Sequence, residues 1–93
     1  MSNETQQPTQ IYLVVGETGK HGDRLEWNVA AYLNAEEAQK HMEAAKLEAN
    51  KVNGKSYKER SEFKNPYDPD FRCDYTGTGY FISQVELKEA FKP

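Results

Sequence analysis

Cysteine, histidine and clustered carboxylates are the side chains with which a chain of this size does chemistry. Here they are Cys73, His21, His41 and the aspartates Asp68, Asp70 and Asp74. A cysteine nucleophile needs a thiol acidified by a cation or a helix N-terminus, and a base within hydrogen-bond reach. Arg72 adjoins Cys73, but neighbours along an extended chain point apart. No spacing in the sequence brings either histidine to the thiol. A hydrolase using Cys73 with His21 or His41 is therefore the weaker reading, and a non-enzyme is expected.

The aspartates suggest a calcium loop, which requires oxygen ligands at positions 1, 3 and 5 and glycine at 6. Counted from Asp68, Arg72 stands at a ligand position and Cys73 where the glycine belongs. Asp-Pro pairs are also ordinary turn chemistry, and two histidines without cysteine partners do not make a zinc site. No metal and no cofactor are expected. The stretch GETGKHGD (16–23) follows a β-rich run and invites a phosphate-loop reading. That loop needs a glycine five positions before Gly19, Ser or Thr after Lys20, and a helix beyond. Val14 and His21 occupy those positions, so a glycine-rich hairpin connection explains the stretch better. Lys51, Lys55, Lys58, Arg60 and Lys64, with Tyr57 and Phe63 interleaved, could stack and neutralise single-stranded nucleic acid. Glu59 and Glu62 dilute that run, and the net charge of −3 opposes it.

The elements that must position these residues are few. Ninety-three residues make one small domain, and 37% apolar content leaves little hydrophobic surface to spare. One cysteine forms no intramolecular disulfide, which fits a reducing compartment. MSNETQQPTQ has neither the basic nor the apolar part of a signal peptide, and no run approaches a membrane span. A cytosolic protein with a flexible tail over 1–10 is expected. IYLVV (11–15) reads as a short buried strand. RLEWNVAAYL (24–33) alternates, placing Leu25, Trp27, Val29, Ala31 and Leu33 on one face of a second strand. Asn34 caps a helix with Glu37 three residues on. Ala35, Ala38, Met42, Ala45, Ala49 and Val52 form its thin apolar stripe, and Asn53-Gly54 ends it. Glu36 and Lys40 fall at i,i+4 on its solvated side. YFISQVEL (80–87) is a third strand, with Phe81, Val85 and Leu87 as its expected inner face. The fold class is α+β: a ββαβ domain over 11–93, with a three-stranded antiparallel sheet in order 2-1-3 and one helix on one face.

Residues 54–79 form a long segment without periodicity, in a range where loops are usually functional or misread structure. Phe63, Tyr67, Phe71 and Tyr75 recur every four residues, too much ring area to leave in water. Pro66 and Pro69 interrupt any helix there. A flap laid across the domain and anchored by some of its rings is expected, with other rings left as a contact patch.

IYLVVGETG with DRLEW shortly after, an acidic-capped helix, then NPYDP and DYTGTGYF leading to VEL resembles a family of small proteins encoded by phages and prophages, over roughly residues 11–87. The resemblance implies an accessory protein expressed in a bacterial cytosol. It brings no catalytic residues. Phage accessory proteins of this size commonly bind a host protein, often a defence nuclease or CRISPR complex, an inference by analogy of origin. The expected partner-binding residues are Tyr67, Asp68, Asp70, Phe71, Arg72 and Tyr75, rings for buried area and carboxylates for a basic partner. The alternative is a nucleic-acid-associated module using Lys55, Tyr57, Lys58 and Arg60. Homodimerisation through the outer face of the third strand or the free edge of the second is also consistent with the pattern.

Overall fold

The computed structural model describes residues 9–91. Most of the tail read as flexible lies outside the described residues, but Gln10 already belongs to the first strand. Three strands, β1 (Gln10–Thr18), β2 (Leu25–Tyr32) and β3 (Thr78–Glu86), form one antiparallel sheet in the order β2-β1-β3. The helix α1 (Ala35–Ala49) packs on one face of it, which is the expected α+β architecture. β1 runs three residues past Val15, and a 3-10 turn at His21–Asp23 completes the hairpin connection. Gly19 sits there at φ 93°, and a Cβ would press within 2.5 Å of the Asp23 carbonyl oxygen. The glycine is required by the turn, with no phosphate needed to explain it.

Asn34 caps α1 through its side-chain oxygen, which accepts from the N–H groups of Glu36 and Glu37 at 2.8 and 3.2 Å. Lys40 pairs with Glu37, and not with Glu36 as the spacing suggested. The helix is fifteen residues, shorter than the stripe implied; successive turns carry the chain to Gly54 at φ 81° and keep Val52 buried. Ala38, Ala45 and Ala49 are fully buried against Val14 and Tyr80, with Met42 packed beside them. Small side chains let α1 lie close to the sheet. They also leave its own contribution to the core thin.

Two strand faces differ from the sequence reading. The β1–β2 ladder shifts between Val14, opposite Ala30, and Val15, opposite Asn28, so Val29 is an extra residue in a β-bulge. Leu25 and Trp27 keep their expected side, but beyond the bulge Ala30 and Tyr32 take the helix face. Ala31 turns outward, and Leu33 is mostly exposed. On β3 the reading is off by one residue: Tyr80 and Ile82 face the helix, whereas Phe81, Val85 and Leu87 do not. A one-residue slip moves every side chain of a strand to the opposite face.

Gly16 lies opposite both Trp27 and Tyr80 in the ladder. A row of two large rings therefore flanks a position with no side chain, and the indole of Trp27 folds over that gap. A Cβ on Gly16 would come within 2.6 Å of it. Gly16→Ala should displace the indole at a cost of about 1–3 kcal/mol. A circular-dichroism melt should then show Tm falling by roughly 5–20 °C, at ~4–8 °C per kcal/mol for a domain of this size. An unchanged Tm would contradict this packing.

Candidate functional site

The segment after α1 is no structureless loop. Ser56-Tyr-Lys-Glu59 has the sequence pattern of a capping box, and Ser56 caps the helix that follows: its Oγ accepts from the Glu59 N–H at 3.2 Å and donates to the Glu59 carboxylate at 3.1 Å. It opens the short helix α2 (Tyr57–Glu62). That four-residue signal is present in the sequence and corrects the reading of 54–79 as irregular throughout.

The flap begins with a tight turn over Asn65–Asp68, where Pro66 suits the second turn position and the Asp68 N–H donates to the Asn65 carbonyl at 3.1 Å. The turn drives Asp68 inward until it is 1% exposed. Its carboxylate accepts from Trp27 Nε1 at 3.0 and 3.2 Å, from the Tyr80 hydroxyl at 2.8 Å and from the Asp70 N–H at 3.1 Å. Asn65, also buried, donates through Nδ2 to the Ala45 carbonyl of α1 at 3.0 Å and to the Tyr80 oxygen at 3.2 Å, while its own oxygen accepts from the Tyr67 N–H. Burial first, then the hydrogen bond to Asp68 and its negative charge, push the Tyr80 phenol far above its ordinary value of 10.0. Tyr80 thus remains a donor throughout the working pH range. No salt bridge among the described residues reaches Asp68; neutral dipoles hold its charge.

Two further pins hold the flap. His41 on α1 lies 2.7 Å from the Tyr67 carbonyl through Nε2 and 2.7 Å from the Tyr32 hydroxyl through Nδ1. A carbonyl can only accept, so Nε2 carries a proton and donates to it, while Nδ1 and the Tyr32 hydroxyl share the second hydrogen bond. At the other end Asp74 accepts from the Thr76 hydroxyl, the Thr76 N–H and the Thr18 hydroxyl, joining the flap to the end of β1. Asn53 clasps Thr78 through both its N–H and its carbonyl.

The six expected contact residues are thereby divided. Asp68 is withdrawn from the surface, a correction to its reading as a partner-facing carboxylate. Phe71 is half-buried, edge-on to Phe63 at 5.4 Å and packed against the core. Tyr67 (45% exposed), Asp70, Arg72 and Tyr75 (80% exposed) face solvent. The basic set is divided as well: Lys55, Tyr57 and Lys58 are exposed, while Arg60 is half-buried under the Tyr57 ring and donates to the carbonyls of Lys55 and Cys73. A groove of about 420 Å³ brings members of both sets together, lined by Leu25, Tyr57, Arg60, Phe63, Phe71 and Arg72. Neither guanidinium meets a carboxylate in a salt bridge among the described residues. The thiol and imidazoles are occupied separately: Cys73 Sγ lies 3.4 Å from Asn53 Oδ1, His41 serves the flap, and His21 is exposed in the hairpin turn.

No protein-family model, curated protein or solved structure matches the chain. Among the described residues no helix is long and apolar enough to cross a membrane.

Two outcomes test these pins. Asp68→Ala strands the Trp27 and Tyr80 donors in a buried place, at ~1–3 kcal/mol for each unsatisfied group. A urea titration should show a loss of about 3 kcal/mol, and a loss below the cost of an ordinary surface substitution would contradict the burial. The Thr76 hydroxyl leads the hydrogen bonds that hold the Asp74 carboxyl below its ordinary value of 3.8, against the opposing effect of burial. Because the folded value is depressed, its stabilisation is present above about pH 4 and lost as pH falls through the folded value. Wild type should therefore exceed Asp74→Asn in stability at neutral pH, with the gap closing in acid. A gap independent of pH would contradict the assignment.

Proposed function

We propose that this protein acts by binding another protein through the outward half of the flap and the groove beside it. The observation that carries this reading is the division of one segment into two jobs. Asn65, Asp68 and Asp74 pin it from beneath, while Tyr67, Arg72 and Tyr75 stand outward on the same backbone. A ring held by a fixed backbone loses little freedom on binding, and preorganisation of this kind favours affinity. Tyrosine and arginine are also the residue types that dominate binding energy at interfaces. The adjoining groove adds apolar walls from Leu25, Phe63 and Phe71 and two guanidinium groups, complementary to a segment carrying apolar and acidic side chains.

The resemblance to phage- and prophage-encoded proteins supports a bacterial host protein as the partner and the host cytosol as the place of contact. A defence complex such as a CRISPR effector is the leading candidate within that class. The alternative, binding of single-stranded nucleic acid across Tyr57 and Arg60, draws on the same groove. It is opposed by the net charge of −3 and by Asp74 on the groove wall.

The test is capture from bacterial lysate, followed by titration of the captured protein, purified, against wild type and Arg72→Ala/Tyr75→Ala. Both side chains are exposed, so the variant should melt within a few degrees of wild type. Binding should weaken roughly tenfold or more, the effect of losing hot-spot residues. Undiminished binding by the folded variant would move the contact elsewhere. A captured nucleic acid whose affinity falls steeply with salt would favour the alternative.

A further inference from the structure

β2 is an outer strand, and the alternation of the sheet fixes which backbone groups its open edge presents. Asn53 takes both the N–H and the carbonyl of Thr78, at 2.9 and 3.1 Å, on the side of β3 away from β1. Thr78 and Thr18 are therefore a non-hydrogen-bonded pair, and the Leu87 N–H donating to the Thr9 carbonyl at the far end keeps the same phase. Alternation then turns the backbone groups of Thr18 and Gly16 towards β2, where they pair with Leu25 and Trp27, and leaves those of Glu26 and Asn28 pointing outward. Both residues are exposed, and neither has a backbone partner on that side among the described residues. The Trp27 indole folds inward over Gly16 and does not shield the edge, and the bulge at Val29 ends its straight stretch just beyond Asn28. The corresponding end of β3 is already closed by Asn53.

The groove meets this edge at Leu25, which is at once the first residue of β2 and part of the groove wall. Side chains of a strand added to β2 alternate, and those opposite Leu25 and Trp27 fall on the groove side. There Leu25, Phe63 and Phe71 offer apolar contact, and Arg60 and Arg72 stand against the single carboxylate of Asp74. That carboxylate is engaged by Thr18 and Thr76, whereas Arg60 is held by the Lys55 and Cys73 carbonyls with its Nη2 uncommitted among the described residues. The Glu26 side chain lies on the opposite face, ion-paired with Arg24 as Glu17 is, so it does not oppose an acidic partner in the groove. We infer, building on the groove contact proposed above, that the partner enters as an extended segment added to the edge of β2 through the backbone of Glu26 and Asn28, with one apolar and one acidic side chain two positions apart turned into the groove. Main-chain pairing supplies affinity, and the charge and apolar walls of the groove supply the sequence preference.

The probe is an end-blocked, fluorescent peptide, Thr-Leu-Thr-Glu-Thr-Leu-Thr, titrated with the full chain and followed by anisotropy. Replacing its glutamate by lysine should weaken binding roughly tenfold, since a charge-assisted contact becomes a repulsion. N-methylation of its threonines, or of its leucines and glutamate, removes the donors on one side of an added strand or on the other. Only one of the two sets should lose binding, by roughly tenfold or more for the lost hydrogen bonds. Which set it is gives the direction of the strand. Glu26→Pro deletes one outward N–H at an edge position where proline is tolerated. Measured against Glu26→Thr, which lacks the same carboxylate but keeps the N–H, it should weaken the peptide by a similar factor. Loss with both N-methylated sets, or with neither, overturns strand addition even if Glu26→Pro fails to fold. So does a peptide that fails to bind wild type at millimolar concentration. Binding of a captured protein that is lost in Arg72→Ala/Tyr75→Ala but equal in Glu26→Pro and Glu26→Thr overturns the inference and leaves the flap contact standing. Weaker capture in Glu26→Pro than in Glu26→Thr, with Arg72→Ala/Tyr75→Ala undiminished, supports the edge and removes the flap from the contact.

Discussion

A carboxylate taken out of water without a cation beside it has to be held by dipoles aimed at it. Asp68 meets that condition with donors from three parts of the chain: the indole of β2, the phenol of β3 and an amide of its own turn. The rest of the domain is arranged to make this possible. Gly16 on the central strand leaves a gap between the two rings, the bulge at Val29 keeps Trp27 on the helix side while the strand bends, and the alanine stripe lets α1 come low enough for Asn65 to reach its backbone. Remove the gap, and the rings could not converge on one group.

From that anchor the outer features follow. The flap is fixed at Asp68, at His41 and at Asp74; Phe71 turns inward between these pins, while Tyr67, Arg72 and Tyr75 are presented to solvent. α2 closes the open side of the same region, and Arg60 reaches back to the Cys73 carbonyl to join it. Polar anchoring of this kind replaces the large aliphatic contacts that the alanine-lined helix lacks.

How much of this was legible in the sequence depended on whether a residue's pattern had one physical meaning or two. The order 2-1-3, the Asn34 cap and the stripe Ala38–Ala45–Ala49 had one, and they were readable. The inner face of β3 had two, because Tyr80/Ile82 and Phe81/Val85 are both apolar and alternation cannot say which faces the helix. The bulge at Val29 left no turn residue to announce it. α2 was signalled by Ser56 and Glu59 but hidden by the polarity of its six residues. Asp68 was read as exposed because carboxylates usually are; what marks it as buried is the partnership of Trp27 and Tyr80, separated from it by 41 and 12 positions, which no local pattern reveals.

The Trp27 indole N–H and the Asp70 amide both donate to the Asp68 carboxylate, so their hydrogen exchange reports on that anchor directly. NMR-detected exchange should find both protected nearly as well as the β1 amides, and far better than an amide of the exposed turn at Tyr75. Indole and amide exchange at the rate of exposed groups, with the sheet still protected, would show that the flap opens freely and that Asp68 does not hold it.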